Sequence, residues 1–241
     1  MIVLLKRLET ELKIRGFSPK TLKAYVSHNK GFLEFCGKDA EEVDEGDVKN
    51  YMAHLLDKGH KIASVSLAMS SIRFLHEEML GRGILAKIKL PKAEKKLPIV
   101  LSKEEIKKML DATENVKHKL LIAFLYSSGA RVSEAVNMKI DDLDLNERMG
   151  IVRAGKGKKD RNIILSESLV RDLRQYLERR NDQNPYVFAV KDRHIAVRQA
   201  QRIVNDAASR AGIKKRVFCH ALRSSFATHL LEAGTDIRVI Q

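Results

Sequence analysis

Four short segments of the sequence carry side chains that can bind anions or transfer protons. They span residues 129–134, 155–161, 220–223 and 226–231. Arginine offers oxyanions a rigid fork of donors, lysine is a compact point charge, and histidine exchanges protons near neutral pH. Taken singly, each segment has an ordinary interpretation: a surface arginine, a lysine in a hairpin turn, or a histidine and an arginine that pair locally on one helix face. Any shared chemistry depends on the elements that bring the segments together.

The pattern of the second half of the chain predicts a mostly helical domain with a small antiparallel sheet. Its expected elements are a helix opened by the capping box at 102–105, a buried helical run at 120–126, strands at 150–153 and 161–165, a helix capped by Ser166, and helices near 199–211 and 222–233. Arg131 then lies just beyond the buried run, and Lys156 lies in the turn between the strands.

The first half of the chain predicts a bundle of about four helices. The expected helices are one at 2–14, a second that begins at Ser18 and Pro19, a third that begins at Asp44 and stops at Gly59, and a fourth that is capped by Ser64 and ends at Gly81.

The composition indicates a basic globular protein. The 241 residues are 44% hydrophobic, and 45 Lys plus Arg against 31 Asp plus Glu give a net charge of +14. Such an excess attracts polyanions, nucleic acid among them, through the summed field and counterion release. The apolar run at 2–5 is too short for a signal peptide or a membrane span, so no membrane partner is expected. Because Cys36 and Cys219 are far apart and form no C-x-x-C pair, we expect a cytoplasmic protein without structural zinc.

Residues 88–100 break the helical pattern. Pro91 and Pro98 flank a group of lysines, which are Lys92, Lys95 and Lys96. Prolines and like charges favour an extended, solvated linker. The lysines either belong to a plain connector or contact nucleic acid directly, and both interpretations stay open. The predicted organisation is a helical domain at 1–87, a linker at 88–100 and a second domain at 101–241.

The order of the four segments resembles the tyrosine recombinase family, also called phage-type integrases, and within it the Xer recombinases. The resemblance covers nearly the whole chain. It is strongest at 125–134, in the Gly-Lys-Gly hairpin followed by Arg161, and at 220–231. The lysine-rich composition is similar to that of archaeal members. The resemblance implies an N-terminal, SAM-like, core-binding helical domain followed by an α+β catalytic domain.

The resemblance also implies roles for individual residues. Arg131 and Arg223 would surround the scissile phosphate, where their forked donors stabilise charge on the non-bridging oxygens. Lys156 would protonate the leaving 5′ oxygen, since nearby arginines lower a lysine pKa, and His220 would take or return a proton. Glu134, one turn after Arg131, fits an orienting role better than direct action on substrate.

The reaction that the resemblance implies is cutting and rejoining of DNA strands through a 3′-phosphotyrosine, without ATP, metal or another cofactor. The expected partner is a double-stranded recombination site bound by a homo-oligomer, which is a tetramer in full-length family members. Resolution of chromosome dimers is the expected role.

The sequence departs from the family pattern near both arginines. Ala130 stands where the family has leucine, and Ser224 and Ser225 follow Arg223 where histidine is frequent. Neither change removes an expected catalytic group.

The lack of a tyrosine at the family's nucleophile position is a more serious departure. The five tyrosines are Tyr25, Tyr51, Tyr126, Tyr176 and Tyr186. All precede His220, and none matches the nucleophile position of the family. We therefore expect a chain truncated before the tyrosine and before the family's second His or Trp. Such a chain would bind DNA without forming a covalent adduct.

Two other function classes compete with the recombinase. A non-catalytic, recombinase-derived DNA-binding regulator fits the charge and the helices, but it leaves the ordered Arg, Lys, His and Arg unexplained. A metal-dependent nuclease would use Asp141, Asp142 and Asp144, yet solvated aspartates are common in a turn before a strand.

Overall fold

The computed structural model describes residues 1–86, 88–92, 97–153 and 160–236. The chain separates into two compact units, Met1–Lys96 and Leu97–Gln241. The division falls inside the segment 88–100, which the sequence predicts to be a linker. Lys95, Lys96 and Lys156 lie outside the described residues.

The first unit is helical. Its helices are α1 (Ile2–Ile14), α2 (Pro19–Cys36), α3 (Glu45–Asp57) and α4 (Ile62–Arg73), and α4 continues into a π-helical turn, Phe74–Met79. The predicted starts of α2 and α3 are confirmed. Ser18 accepts the backbone N–H of Thr21 ahead of Pro19, and the side chain of Asp44 caps α3.

The predicted start of the fourth helix is wrong by one turn. The sequence favoured Ser64 as the cap because its hydroxyl can accept a backbone N–H. In the structure the backbone N–H of Ser64 already donates to the Lys61 carbonyl over 2.8 Å, so Ser64 lies inside the helix. Lys61 occupies the cap position in an extended conformation and makes no side-chain cap bond.

Two apolar clusters hold the first unit together. One centres on Phe32, Val48 and Ile72, and the other on Leu8 and Leu12. Ile88 is buried in the first cluster, so the beginning of the predicted linker packs on this unit.

The second unit mixes helices with short strands. Its elements are α5 (Lys103–Asp111), α6 (Val116–Ser127), α7 (Val132–Val136), β1 (Leu143–Asp144), β2 (Met149–Val152), β3 (Arg161–Ile164), α8 (Glu167–Glu178), β4 (Ala189–Val190), β5 (Arg193–His194), α9 (Val197–Arg210) and α10 (Cys219–Glu232). The expected mostly helical fold with a small antiparallel sheet is confirmed.

The sheet of the second unit has the order β1, β2, β3, and neighbouring strands are antiparallel. The register places Val152 opposite Arg161 and Gly150 opposite Ile163. Val152 and Ile163 are buried, whereas Ile164 is exposed, as the two-residue period of a strand requires. Arg161 therefore lies on the same face of the sheet as Val152 and Ile163, the face that packs on the core.

The core of the second unit surrounds α6, whose residues Leu121, Ile122 and Phe124 are fully buried. Helix α6 contacts both α8 and α10. The segment before α5 belongs to this unit, because the backbone N–H of Leu101 donates to Ser225 Oγ of α10 over 2.8 Å.

Helix α10 begins at Cys219, three residues before the predicted start at 222. This earlier start places His220 in the first turn of the helix. Among the described residues, no helix combines the length and the apolar character that crossing a membrane requires.

Candidate active site

The loop between α6 and α7 positions Arg131. Gly129 in this loop has φ +58°, the left-handed region that favours glycine. A Cβ atom at this position would lie 2.6 Å from Cδ1 of Phe226 in α10, so any side chain here would force the loop or the Phe226 ring to shift. The turn at Gly129 brings Arg131 to the start of α7.

Glu134 holds Arg131 in this position. Its carboxylate accepts the backbone N–H of Arg131 at 2.7 Å and Nη1 of the same residue at 2.8 Å. The side chain of Glu134 is 7% exposed, whereas that of Arg131 is 42% exposed. Among the described residues, Nε and Nη2 of Arg131 have no acceptor, so Arg131 keeps donors for an incoming anion.

Arg161 at the start of β3 also binds Glu134. Its Nη1 and Nη2 donate to the two carboxylate oxygens over 3.0 and 2.7 Å. Burial alone would raise the pKa of Glu134, but the bonds from Arg161 and Arg131 outweigh burial and lower the pKa to about 2. Glu134 is therefore ionised at neutral pH.

Arg223 reaches the same loop from α10. Its Nη1 donates to the carbonyl oxygen of Gly129, two residues before Arg131. Burial lowers the pKa of Arg223, and the charges of Arg131 and Arg161 lower it further. The structure thus brings together the two arginines that the sequence singled out, and it adds a third.

A cleft of about 210 Å³ opens beside these groups. Its walls include Gly129, Arg161, Arg223 and Phe226. The guanidinium groups of Arg161 and Arg223 line this cleft, and Arg131 is close enough for its charge to act on Arg223. This positive charge favours an anion with several oxygens, such as a phosphodiester.

His220 lies one turn before Arg223 on α10, and it is exposed. Lys156 lies outside the described residues, between β2 and β3, so its predicted place beside the arginines stays a prediction. Of the predicted linker lysines, Lys92 is described and is exposed.

Arg161 and the pair Tyr126–His229 are features to which the sequence analysis gave no role. The Tyr126 hydroxyl and His229 Nδ1 are 2.8 Å apart, and the hydroxyl is half-buried, which raises its pKa. Arg161 does follow the Gly-Lys-Gly segment that carries the resemblance. Its place after that segment does not indicate the contact that Arg161 makes with Glu134.

Two of the three aspartates of the nuclease alternative, Asp142 and Asp144, serve local structure. Asp142 pairs with Nε of Arg153, and Asp144 Oδ1 accepts the backbone N–H groups of Asn146 and Glu147. In the described ranges, no group of three His, Cys, Asp or Glu side chains could hold a metal ion.

Comparison with known proteins decides the family. Residues 100–241 match the phage integrase family, and residues 4–85 match the phage integrase N-terminal SAM-like domain. This chain belongs to the phage integrase, or tyrosine recombinase, family. Its relatives include the tyrosine recombinase XerA of Pyrococcus horikoshii, 34% identical over 244 residues that cover 99% of this chain and 83% of the relative.

Other relatives extend the likeness. The tyrosine recombinase XerD of Oceanobacillus iheyensis is 32% identical over 94% of this chain and 84% of its own length. A crystal structure of XerA recombinase superposes with a TM-score of 0.57 at 30% identity, covering 99% of this chain and 87% of that one. A lambda integrase dimer bound to a COC′ core site superposes with a TM-score of 0.80 at 20% identity, covering 100% and 93%. The recombinase is thus of the Xer type, and its SAM-like and catalytic folds are those expected.

Proposed function

We propose that this recombinase cuts and rejoins DNA strands at a specific site through a 3′-phosphotyrosine intermediate. The observation that carries the proposal is the convergence of Arg131 and Arg223 on the Gly129 loop. These residues are far apart in the chain, and the cleft lined by Arg223 beside the Gly129 loop supports a phosphodiester as their shared ligand.

The arginines act on the scissile phosphate in this proposal. When a tyrosine oxygen attacks phosphorus, negative charge builds up on the two non-bridging oxygens, and preorganised guanidinium groups stabilise it. The half-buried Arg223 and the anchored Arg131 lose little conformational freedom when they bind, because protein contacts already hold them.

Proton transfers complete the cycle. The phosphorus–oxygen bond to the 5′ oxygen breaks as the bond to the tyrosine forms, and Lys156 protonates that leaving oxygen. His220 exchanges a proton with the attacking or departing tyrosine oxygen. The 3′ phosphate of the cut strand stays bonded to the tyrosine, so the energy of the broken phosphodiester is kept in the new bond. The free 5′ hydroxyl of a partner strand can then attack this phosphate and release the tyrosine without ATP.

We assign the nucleophile to none of the five tyrosines in this sequence. Tyr25 and Tyr51 belong to the first unit, and the hydroxyl of Tyr126 is engaged by His229. Tyr176 lies on α8 and Tyr186 precedes β4, whereas the arginines lie on the Gly129 loop and α10. The chain alone is thus proposed to bind DNA without cutting it.

The proposed partner is a double-stranded recombination site, bound by several copies of the protein in the cytoplasm. A net charge of +14 supports binding to a polyanion. The structure of a lambda integrase dimer bound to a core site supports assembly on DNA. We extend this to a tetramer and to resolution of chromosome dimers, following the Xer relatives.

A suicide substrate tests the proposal. The natural protein that contains this sequence is mixed with a nicked duplex carrying its own site, in chelator and without ATP. We expect a protein–DNA adduct with a 3′ phosphate on tyrosine and a free 5′ hydroxyl. Tight site-specific binding without an adduct would favour the DNA-binding regulator, and cleavage that requires metal would favour the nuclease.

A further inference from the structure

The side chain of Arg161 is committed to Glu134. Both terminal nitrogens of its guanidinium contact that carboxylate, one oxygen each. Among the described residues, Glu134 accepts two hydrogen bonds from Arg161 and two from Arg131, and its side chain is only 7% exposed. Arg161 therefore supplies as many donors as Arg131 to a nearly buried carboxylate.

We propose that Arg161 is a positioning residue for the recombination chemistry, which keeps Arg131 available to the scissile phosphate by neutralising Glu134. The inference rests on the proposed function. It assigns a task to a residue outside the expected set of Arg131, Lys156, His220 and Arg223.

The electrostatic argument concerns competition for Arg131. A buried carboxylate needs a cation and several donors, because leaving it unsatisfied is costly. With Arg161 present, Glu134 takes one backbone N–H and one side-chain N–H from Arg131. Without Arg161, Arg131 is the remaining cation on Glu134 among the described residues. The Arg131 guanidinium would turn toward the Glu134 carboxylate. The substrate phosphate would then have to compete with that carboxylate for the guanidinium.

The strand that carries Arg161 makes this arrangement rigid. Arg161 pairs with Val152 in the register of β2 and β3, and Val152 is 2% exposed. A side chain that starts from a paired strand over the core is held more firmly than one on a loop. The contact with Glu134 consequently ties β3 to α7, the helix that Arg131 begins.

A direct role on DNA is the rival explanation for Arg161. Its side chain is 33% exposed and lines the cleft next to Arg223. If Arg161 touched a phosphate itself, its loss would weaken DNA binding and reduce the salt dependence of binding by about one charge. A positioning role predicts neither change, so the two explanations differ in measurable ways.

The test uses the natural protein and its suicide substrate, under conditions where circular dichroism shows each variant folded. We expect Arg161→Met to lower the single-turnover cleavage rate by roughly 10- to 100-fold, by analogy with the loss of a residue that orients a metal ligand. The dissociation constant for DNA and the slope of its logarithm against salt should stay unchanged. The proposal would be overturned if Arg161→Met cleaved at the wild-type rate. It would also be overturned if the salt dependence of DNA binding by this variant fell by about one charge.

Rescue by a second substitution separates positioning from general damage. In Arg161→Met with Glu134→Gln, the neutral amide no longer attracts the Arg131 guanidinium but keeps one oxygen that can accept from it, so part of the cleavage rate should return. A double variant no faster than Arg161→Met would overturn the proposal. Arg161→Lys keeps the charge and serves if the methionine variant does not fold. Arg161→Lys should cleave at a rate between those of wild type and Arg161→Met. A wild-type rate would show that the two-pronged guanidinium contact with Glu134 is not needed.

Failure of the proposed function would look different. If the wild-type protein itself forms no adduct, the recombinase proposal falls, and the positioning role of Arg161 falls with it. If wild type forms the adduct and the Arg161 variants match it in rate, only the positioning role is lost.

Discussion

At the scale of single residues, Gly129 supports both arginines of the site. Its carbonyl oxygen accepts Arg223, its left-handed φ turns the chain toward Arg131, and its missing side chain admits the ring of Phe226. One residue thus combines a conformational requirement with a steric one.

Replacing Gly129 with alanine should lower the free energy of unfolding by about 2 kcal/mol or more. The left-handed backbone costs an alanine about 1 kcal/mol, and overpacking against Phe226 adds about 1–3 kcal/mol. Denaturant titration measures the loss. Gly212→Ala is the matched control, because φ there is +68° but, in the described part of the chain, no atom beyond its chain neighbours lies within 4 Å of the new Cβ. Equal destabilisation by the two variants would show that the Phe226 contact does not matter.

The sequence indicated part of this residue-level arrangement. The order of motifs singled out Arg131, His220 and Arg223, and the structure brings the two arginines to one loop. The spacing of Glu134 one turn after Arg131 indicated its orienting contact. The role of Arg161 could not be read from local pattern, because it depends on a contact 27 residues away in the chain.

At the scale of elements, the π-helical turn that extends α4 carries an unusual buried histidine. His76 is fully buried, and neither ring nitrogen has a hydrogen-bond partner among the described residues. Burial lowers the pKa of His76 to about 4, and the charge of Arg82 contributes in the same direction, against a smaller opposite effect of Glu41. The folded first unit therefore holds this histidine neutral.

The first unit should lose stability as the pH falls from about 6.5 to about 4. The unfolded chain takes up a proton on His76 at about pH 6.5, whereas the folded unit resists it until about pH 4, so acid favours unfolding by up to roughly 3 kcal/mol. Above pH 6.5 this contribution to stability is complete. Hydrogen exchange of the α4 amides, corrected for intrinsic rates, measures the effect.

His76→Leu should remove this part of the pH dependence. His118→Leu is the control, because His118 lies in the second unit and burial also lowers its pKa. A His76→Leu variant whose α4 amides keep the wild-type pH slope would contradict the assignment.

Elements with strong local signals were predictable from sequence, and short ones were not. The caps at Ser18, Asp44 and Ser102 each accept a backbone N–H as expected. Two-residue strands such as β1 and β4 carry no periodicity, because alternation needs several residues to show. Helix α4 begins earlier than predicted, because the backbone N–H groups of Ser64 and Val65 donate to the Lys61 carbonyl and extend the helix ahead of Ser64.

At the scale of the whole molecule, the net charge of +14 is the property most relevant to DNA. Neutralised phosphates release counterions, so binding should weaken steeply with salt. If the chain contacts about six phosphates, affinity should fall roughly 1000-fold between about 50 and 200 mM salt. Fluorescence anisotropy with a labelled duplex measures this, and a duplex with neutral methylphosphonate linkages should show a shallower slope. Affinity that is flat over this range would contradict phosphate-dominated binding.

If Arg131 and Arg223 form one catalytic site, single-turnover cleavage of a suicide substrate by the natural protein should depend on both arginines. Arg131→Ala and Arg223→Ala should each lower the rate at least about 100-fold, near 3 kcal/mol of transition-state stabilisation, while the DNA dissociation constant changes little. Arg171→Ala, on the exposed face of α8, is the control and should cleave at the wild-type rate. Cleavage at the wild-type rate by either arginine variant, or a rate loss that saturating DNA fully restores, would show that the two arginines do not stabilise the transition state together.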